Sequence, residues 1–124
     1  MAGLVGTGPA IIRQENSMST APKSETLKLI DLAAYQEGAV VSRQITKAEG
    51  GNVTLFAFDQ GQELSEHTAP YDALVHVLDG EAEIRISGKA FQLKTGEAII
   101  MPANDPHALK AVTKFKMLLT MIKA

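Results

Sequence analysis

From residue 25 onward the chain consists of short apolar segments separated by turn-forming residues, and several of these segments alternate strictly. Residues 81–86 place apolar side chains on one face and charged ones on the other, which is typical of a half-buried antiparallel strand. Residues 87–88 are Ser-Gly, which predicts a tight hairpin turn, and the alternation resumes in residues 91–93. The pattern therefore predicts a β-hairpin in this part of the chain.

The remaining periodic segments also predict strands, at residues 52–58, 73–78, 98–101 and 114–122. The first two are apolar on both faces, as expected for strands that are buried between layers. Helical signal is confined to residues 30–35, which are long enough for about one turn. Roughly eight to ten short strands at close spacing favour an all-β fold, an antiparallel sandwich or barrel of the jelly-roll kind.

Residues 1–24 differ in composition from the rest of the chain. They contain glycines, prolines and a polar stretch, with little periodic apolar signal. We predict that they form a flexible N-terminal tail and that residues 25–124 form a single domain.

Composition narrows the class of protein. Of the 124 residues 45% are hydrophobic and 21% are charged, which is ordinary for a globular domain, and the net charge of -2 argues against a nucleic-acid-binding surface. Without cysteine there is no disulfide scaffold, no thiolate zinc site and no cysteine nucleophile. No apolar run is long enough to span a membrane, and the start of the chain lacks the basic region of a signal peptide. We therefore predict a cytoplasmic protein that contacts neither membrane nor nucleic acid.

The three histidines are the best candidates for chemistry. His67 lies in a predicted loop over residues 61–70, His76 lies within the strand that follows, and His107 opens a later strand. Histidines at the ends of strands that are distant in sequence can converge at the mouth of a barrel, where ligand pockets are common.

The spacing around His67 resembles the first motif of the cupin family, G-x5-H-x-H-x3–4-E-x6-G. Gly61, His67 and Gly80 occupy motif positions. Ala69 stands where the family has its second histidine, and Ala73 stands where it has its glutamate.

The spacing around His107 resembles the second cupin motif, G-x5-P-x-G-x2-H-x3-N. Gly96, Pro102 and His107 match it, whereas Asn104 replaces the glycine and Ala111 the asparagine. The resemblance covers roughly residues 40–122 and implies a jelly-roll β-barrel of the cupin type.

In cupins three histidines and the glutamate usually hold one divalent metal ion. The resemblance therefore implies a metal site at His67 and His107, for Zn, Ni, Mn, Fe or Cu, with half of its shell missing. The alternative is that His67 and His107 are polar pocket residues that hold no metal.

Other side chains are weaker candidates for the missing ligands. His76 lies an odd number of residues beyond Ala73, so on a regular strand it points to the opposite face unless a bulge intervenes. The carboxylates of Glu63, Glu66 and Asp72 are near in sequence, but each is interpreted first as a solvated loop residue.

The leading hypothesis is a cupin with a small-molecule pocket in its barrel and a depleted two-histidine metal site, which binds a small organic ligand. The first alternative is a metal-dependent cupin enzyme, dioxygenase- or isomerase-like, that acts on a small organic substrate. The second is an interaction module that works with a separate partner. Because two predicted strands are apolar on both faces, we also predict a homodimer.

Overall fold

The structure is a computed structural model that describes residues 12–14 and 20–124, and its regular structure is almost entirely β-strand. Within this part of the chain the one helical element is a 3-10 turn at Leu29–Asp31. The strands are β1 (Ile12–Gln14), β2 (Val40–Ala48), β3 (Gly51–Phe58), β4 (Glu63–His67), β5 (Tyr71–Asp79), β6 (Glu81–Ile86), β7 (Lys89–Lys94), β8 (Ala98–Met101), β9 (His107–Ala111) and β10 (Phe115–Lys123).

The strands form two sheets, a six-stranded sheet in the order β1-β2-β3-β10-β5-β8 and a four-stranded sheet in the order β4-β9-β6-β7. All pairings are antiparallel except that of β1 with β2. Strands distant in sequence are neighbours in both sheets, as in a jelly roll. The predicted all-β jelly-roll fold is confirmed.

The space between the two sheets is filled by the inward-facing side chains of both. Phe56, Phe58 and Phe115 of the larger sheet are at most 1% exposed, and the rings of Phe58 and Phe115 stack at 4.5 Å between centroids. Ile84 and Leu109 of the smaller sheet belong to the same cluster. Burial of these large side chains supplies the main drive for the two sheets to associate.

A second apolar layer lies on the outer face of the larger sheet. Val41, Leu55 and Ala57 are fully buried there, packed with Ala33 and with partly buried side chains between residues 27 and 35. This covering explains why β3 is apolar on both faces. A segment of the same chain thus buries the outer face of β3.

Two hydrogen bonds join residues 27–35, the covering segment, to the larger sheet. Lys116 Nζ donates to the backbone oxygen of Ile30 at 2.6 Å, and the Tyr35 hydroxyl donates to Asp79 Oδ2 at 2.6 Å. Burial raises the pKa of Tyr35, and the hydrogen bond to Asp79 and the negative charge of that carboxylate raise it further, so the phenol keeps the proton that it donates.

The segment around His67 differs from our prediction. We predicted a loop over residues 61–70, but residues Glu63–His67 form β4. The register with β9 shifts between Leu64 and His67, so the strand contains a bulge. A bulge breaks the alternation of inward and outward side chains, which is why no strand pattern is visible in the sequence.

The predicted flexible tail at residues 1–24 falls largely outside the described residues and stays a prediction. Within it, β1 pairs with β2, and Ala21 is 5% exposed with its amide donating to the backbone oxygen of Ile45. Residues before position 25 therefore contact the domain at two places, in the β1–β2 pairing and at Ala21.

Gly80, between β5 and β6, provides a test of the packing. Its φ is 84°, and a Cβ at this position would overlap the backbone oxygen of Lys114 and approach the Cβ of Phe115. Gly88 has almost the same φ, 83°, but a Cβ there meets no atom within 4 Å.

We predict that Gly88→Ala destabilises the fold by about 1–2 kcal/mol through backbone strain alone. Gly80→Ala should destabilise it by roughly 1–3 kcal/mol more because the overlap forces the backbone to move. Chemical denaturation of the two variants measures the difference, and equal losses would contradict this packing.

The outer face of β5 and its neighbours β8 and β10 is less well covered than that of β3. Leu74, Ile100 and Ile122 are 37%, 62% and 60% exposed, and Leu74 and Ile100 are register partners. We predict that this face forms the contact of a homodimer. Light scattering after size exclusion should give a dimer mass for the wild type and for Val112→Lys, which alters an exposed side chain outside the strands. Ile100→Lys should give a monomer; a monomeric wild type would contradict the prediction.

Candidate functional site

His67 and His107 lie side by side at one end of the barrel. His67 is the last residue of β4, His107 is the first of β9, and the two are register partners. Their rings lie 4.4 Å apart between centroids at an interplanar angle of 73°. Leu64 and Leu109 are both buried in the interior cluster, and the bulge in β4 lets His67 share that inward face although it lies three residues from Leu64.

The backbone fixes the tautomer of both imidazoles. The Nδ1–H of His67 donates to the carbonyl of Ser65 at 2.6 Å, and that of His107 donates to the carbonyl of Asp105 at 3.1 Å. Because a carbonyl only accepts, Nδ1 carries the hydrogen, and Nε2 of a neutral ring is left with a free lone pair. Both Nε2 atoms are buried and have no hydrogen-bond partner among the described residues.

His107 is 2% exposed, and its surroundings favour the neutral ring. Burial lowers the pKa of His107, the nearby His67 lowers it further, and the hydrogen bond to Asp105 opposes these effects. A neutral His107 presents Nε2 as a hydrogen-bond acceptor or as a metal ligand.

The other two positions of the first motif contribute no donor atoms. Ala69 and Ala73 are each 2% exposed, and a methyl group cannot coordinate a metal ion. The amide of Asn104 donates to the carbonyl of Ala69 at 2.8 Å, which ties the loop before His107 to the segment after His67.

The structure places His76 away from the histidine pair. Ala73, Val75 and Val77 of β5 are buried in the barrel interior, whereas Leu74 is exposed on the outer face and His76 has the same parity as Leu74. The irregularity in the pairing of β5 with β10 lies beyond Val77, so no bulge changes the parity between Ala73 and His76.

The three carboxylates that we considered as additional ligands either bond to the backbone or line a surface groove. Asp72 is exposed, and its Oδ1 accepts a hydrogen bond from the amide of Ala103 at 2.9 Å. Glu63 and Glu66 line a groove of about 380 Å³ on the outer face of the smaller sheet, and neither His67 nor His107 is among the residues lining that groove.

The donor set present does not fit the four-ligand site of the cupin motifs. In residues 12–14 and 20–124 no group of three or more His, Cys, Asp or Glu side chains is placed to hold a metal ion. The two free Nε2 atoms provide half of such a shell. Sequence reasoning identified the pair but not the carbonyls that set the tautomer, because a backbone acceptor leaves no signal in residue type.

The comparisons with known proteins agree with the fold. The family model for the cupin domain matches residues 54–123, and this chain belongs to that family. A conserved protein of unknown function from Streptococcus pyogenes is 36% identical, with a TM-score of 0.79, over 88% of this chain and 98% of that one. A cupin 2 conserved barrel domain protein from Leptotrichia buccalis is 42% identical, with a TM-score of 0.76, over 78% of this chain and 47% of that one.

One curated relative carries a functional name. The polyketide synthase CurC of Streptomyces cyaneus is 29% identical over 66 residues, which are 52% of this chain. The match spans 43% of that relative's length, so this chain corresponds to less than half of it.

In the described residues no helix is long and apolar enough to cross a membrane.

The lowered pKa of His107 predicts how the domain responds to acid. Its ring should titrate below the ordinary histidine value of about 6.5 in an NMR pH titration. Because the folded-state pKa is depressed, the stability linked to the neutral ring is present above the unfolded-state pKa and is lost as pH falls through the folded-state pKa. Melting temperatures should therefore fall less steeply below neutral pH in His107→Gln than in the wild type. A His107 ring that titrates above 6.5 would contradict the prediction.

Proposed function

We propose that this cupin binds a small organic molecule inside the barrel and that His67 and His107 are its polar contacts. The observation that carries the proposal is the pair of buried Nε2 atoms without partners. A buried acceptor that lacks a partner destabilises a fold by about 1–3 kcal/mol. A ligand that donates hydrogen bonds to these Nε2 atoms would remove that penalty.

The surroundings of the pair indicate the chemistry of that ligand. Ala69 and Ala73 are apolar, and the register partner of His107 on its other side is Ile86. Neutral imidazoles accept hydrogen bonds at Nε2, so the ligand should combine an apolar body with hydroxyl donors, as phenols do. The likeness to a protein named a polyketide synthase supports this class, since many polyketides are apolar molecules with hydroxyl groups.

A metal-dependent cupin enzyme, dioxygenase- or isomerase-like, is the second candidate function. It is favoured by the Nδ1–H bonds to backbone carbonyls, because metal-ligating histidines commonly donate their other ring N–H in this way. When bound, the ion would act as a Lewis acid. Elemental analysis of protein purified without chelators distinguishes the two candidates: about one equivalent of metal favours the enzyme.

A matched pair of ligands tests the organic-ligand proposal. We predict that 2-naphthol, titrated by calorimetry or NMR, binds at least about tenfold more tightly than 2-methoxynaphthalene, which lacks the hydroxyl donor. His67→Ala and His107→Ala should remove that preference, and His76→Ala should retain it because His76 lies on the outer face.

Equal affinity for the two naphthalenes in the wild type would contradict the proposed role of the histidines. The same conclusion would follow if His76→Ala removed the preference as completely as His67→Ala.

A further inference from the structure

Two polar side chains near the start of β3 carry buried oxygens without a hydrogen-bond partner. The oxygens are Thr54 Oγ1 and Asn52 Oδ1, neither of which bonds to any of the described residues, and Thr54 is 3% exposed. Their register partners on β10 are Leu119 and Met121, which both belong to the interior cluster. Because register partners share one face of a sheet, Thr54 and Asn52 lie on the inner face of the larger sheet.

Backbone pairing places the start of β3 at the histidine end of the barrel. Tyr71, the first residue of β5, follows His67 closely in the chain and pairs with Lys123 at the end of β10. The amide of Lys123 donates to the carbonyl of Gly50, which precedes β3, at 2.8 Å. The start of β3 and the end of β4 therefore lie at the same end of the barrel.

The connection between β3 and β4 places these two strand ends on facing walls. β3 belongs to the larger sheet and β4 to the smaller one, and residues 59–62 join them. Within this turn the amide of Gln62 donates to the carbonyl of Asp59 at 3.1 Å. Such a short connection reverses the chain, so β4 runs back across the barrel from β3. Its last residue, His67, thus lies on the wall opposite the start of β3.

The two walls present complementary chemistry to a ligand. A neutral imidazole accepts a hydrogen bond at Nε2, an amide oxygen accepts one, and a threonine hydroxyl can both donate and accept. Packed sheets lie about 10 Å apart, and the imidazoles occupy part of that gap, so the polar groups that reach both walls must be close together on the ligand. Two neighbouring hydroxyl groups meet this requirement.

We propose that Thr54 and Asn52 are a second polar contact for the barrel ligand, opposite His67 and His107, and that the ligand carries two neighbouring hydroxyl groups, one for each wall. The inference rests on the proposed function, binding of a small organic molecule through the histidines. It assigns to Thr54 the selection of a vicinal diol over a single hydroxyl.

The test is a calorimetric titration of the full chain with 2,3-dihydroxynaphthalene and with 2-naphthol, under nitrogen. In the wild type the diol should bind at least about tenfold more tightly than 2-naphthol. Thr54→Val removes the hydroxyl and should reduce this difference to about twofold or less. The variant should keep the preference for 2-naphthol over 2-methoxynaphthalene, since that preference depends on the histidines.

Thr120→Val is the matched control. Thr120 follows Leu119 on β10 and pairs with Val53, which packs in the outer apolar layer, so its hydroxyl lies on the other face of the sheet. This variant should keep the full preference for the diol.

The melting temperature separates a ligand contact from a structural role of the Thr54 hydroxyl. A buried hydroxyl without a partner costs free energy, so Thr54→Val without ligand should melt at the wild-type temperature or above it. A fall of about 5 °C or more would show that the fold itself uses this hydroxyl, and would overturn the proposal.

Two binding results would also overturn it. If the wild type binds the diol and 2-naphthol equally but still prefers 2-naphthol to 2-methoxynaphthalene, the second contact is wrong and the proposed function stands. If Thr54→Val keeps the full preference for the diol, Thr54 does not select it. Absence of binding of either naphthol would overturn this inference and the proposed function together.

Discussion

The structure depends on burying both faces of the central strands of the larger sheet. β10 lies between β3 and β5, and its inward side chains pack in the barrel while its outward ones meet the covering segment or solvent. The smaller sheet covers the inner face, and the segment up to Tyr35 covers much of the outer face. Within the smaller sheet, which packs on this inner face, β4 pairs with β9, and this pairing brings His67 and His107 together at one end of the barrel. The β4–β9 pairing therefore explains why two residues forty positions apart are in contact.

Much of the fold could be predicted from apolar periodicity. Residues 81–86 and 98–101 form strands with the predicted bounds, and Ser87 and Gly88 have positive φ, as the predicted hairpin turn requires. The strand at residues 63–67 could not be predicted in this way because its bulge breaks the alternation. The sequence also could not predict which segment covers the outer face of β3. An apolar pattern shows that a face is buried but does not identify the residues that bury it.

The candidate site could likewise be predicted only in part. Motif spacing brought out His67 and His107, and parity placed His76 apart from them. The carbonyls of Ser65 and Asp105, which fix the ring tautomers, carry no sequence signal since any residue supplies a carbonyl.

The central claim is that backbone carbonyls hold the Nδ1–H of both imidazoles at this barrel end, which leaves both Nε2 atoms to meet a ligand. It is a claim about where two hydrogens reside, and long-range ¹H–¹⁵N NMR correlation of the histidine rings tests it most directly. The account predicts that at neutral pH His107 is in the Nδ1–H form, with Nε2 unprotonated, and that the neutral His67 ring has the same tautomer. Spectra showing Nε2 protonated in both rings would contradict it, because neither atom could then accept a hydrogen bond or bind a metal ion.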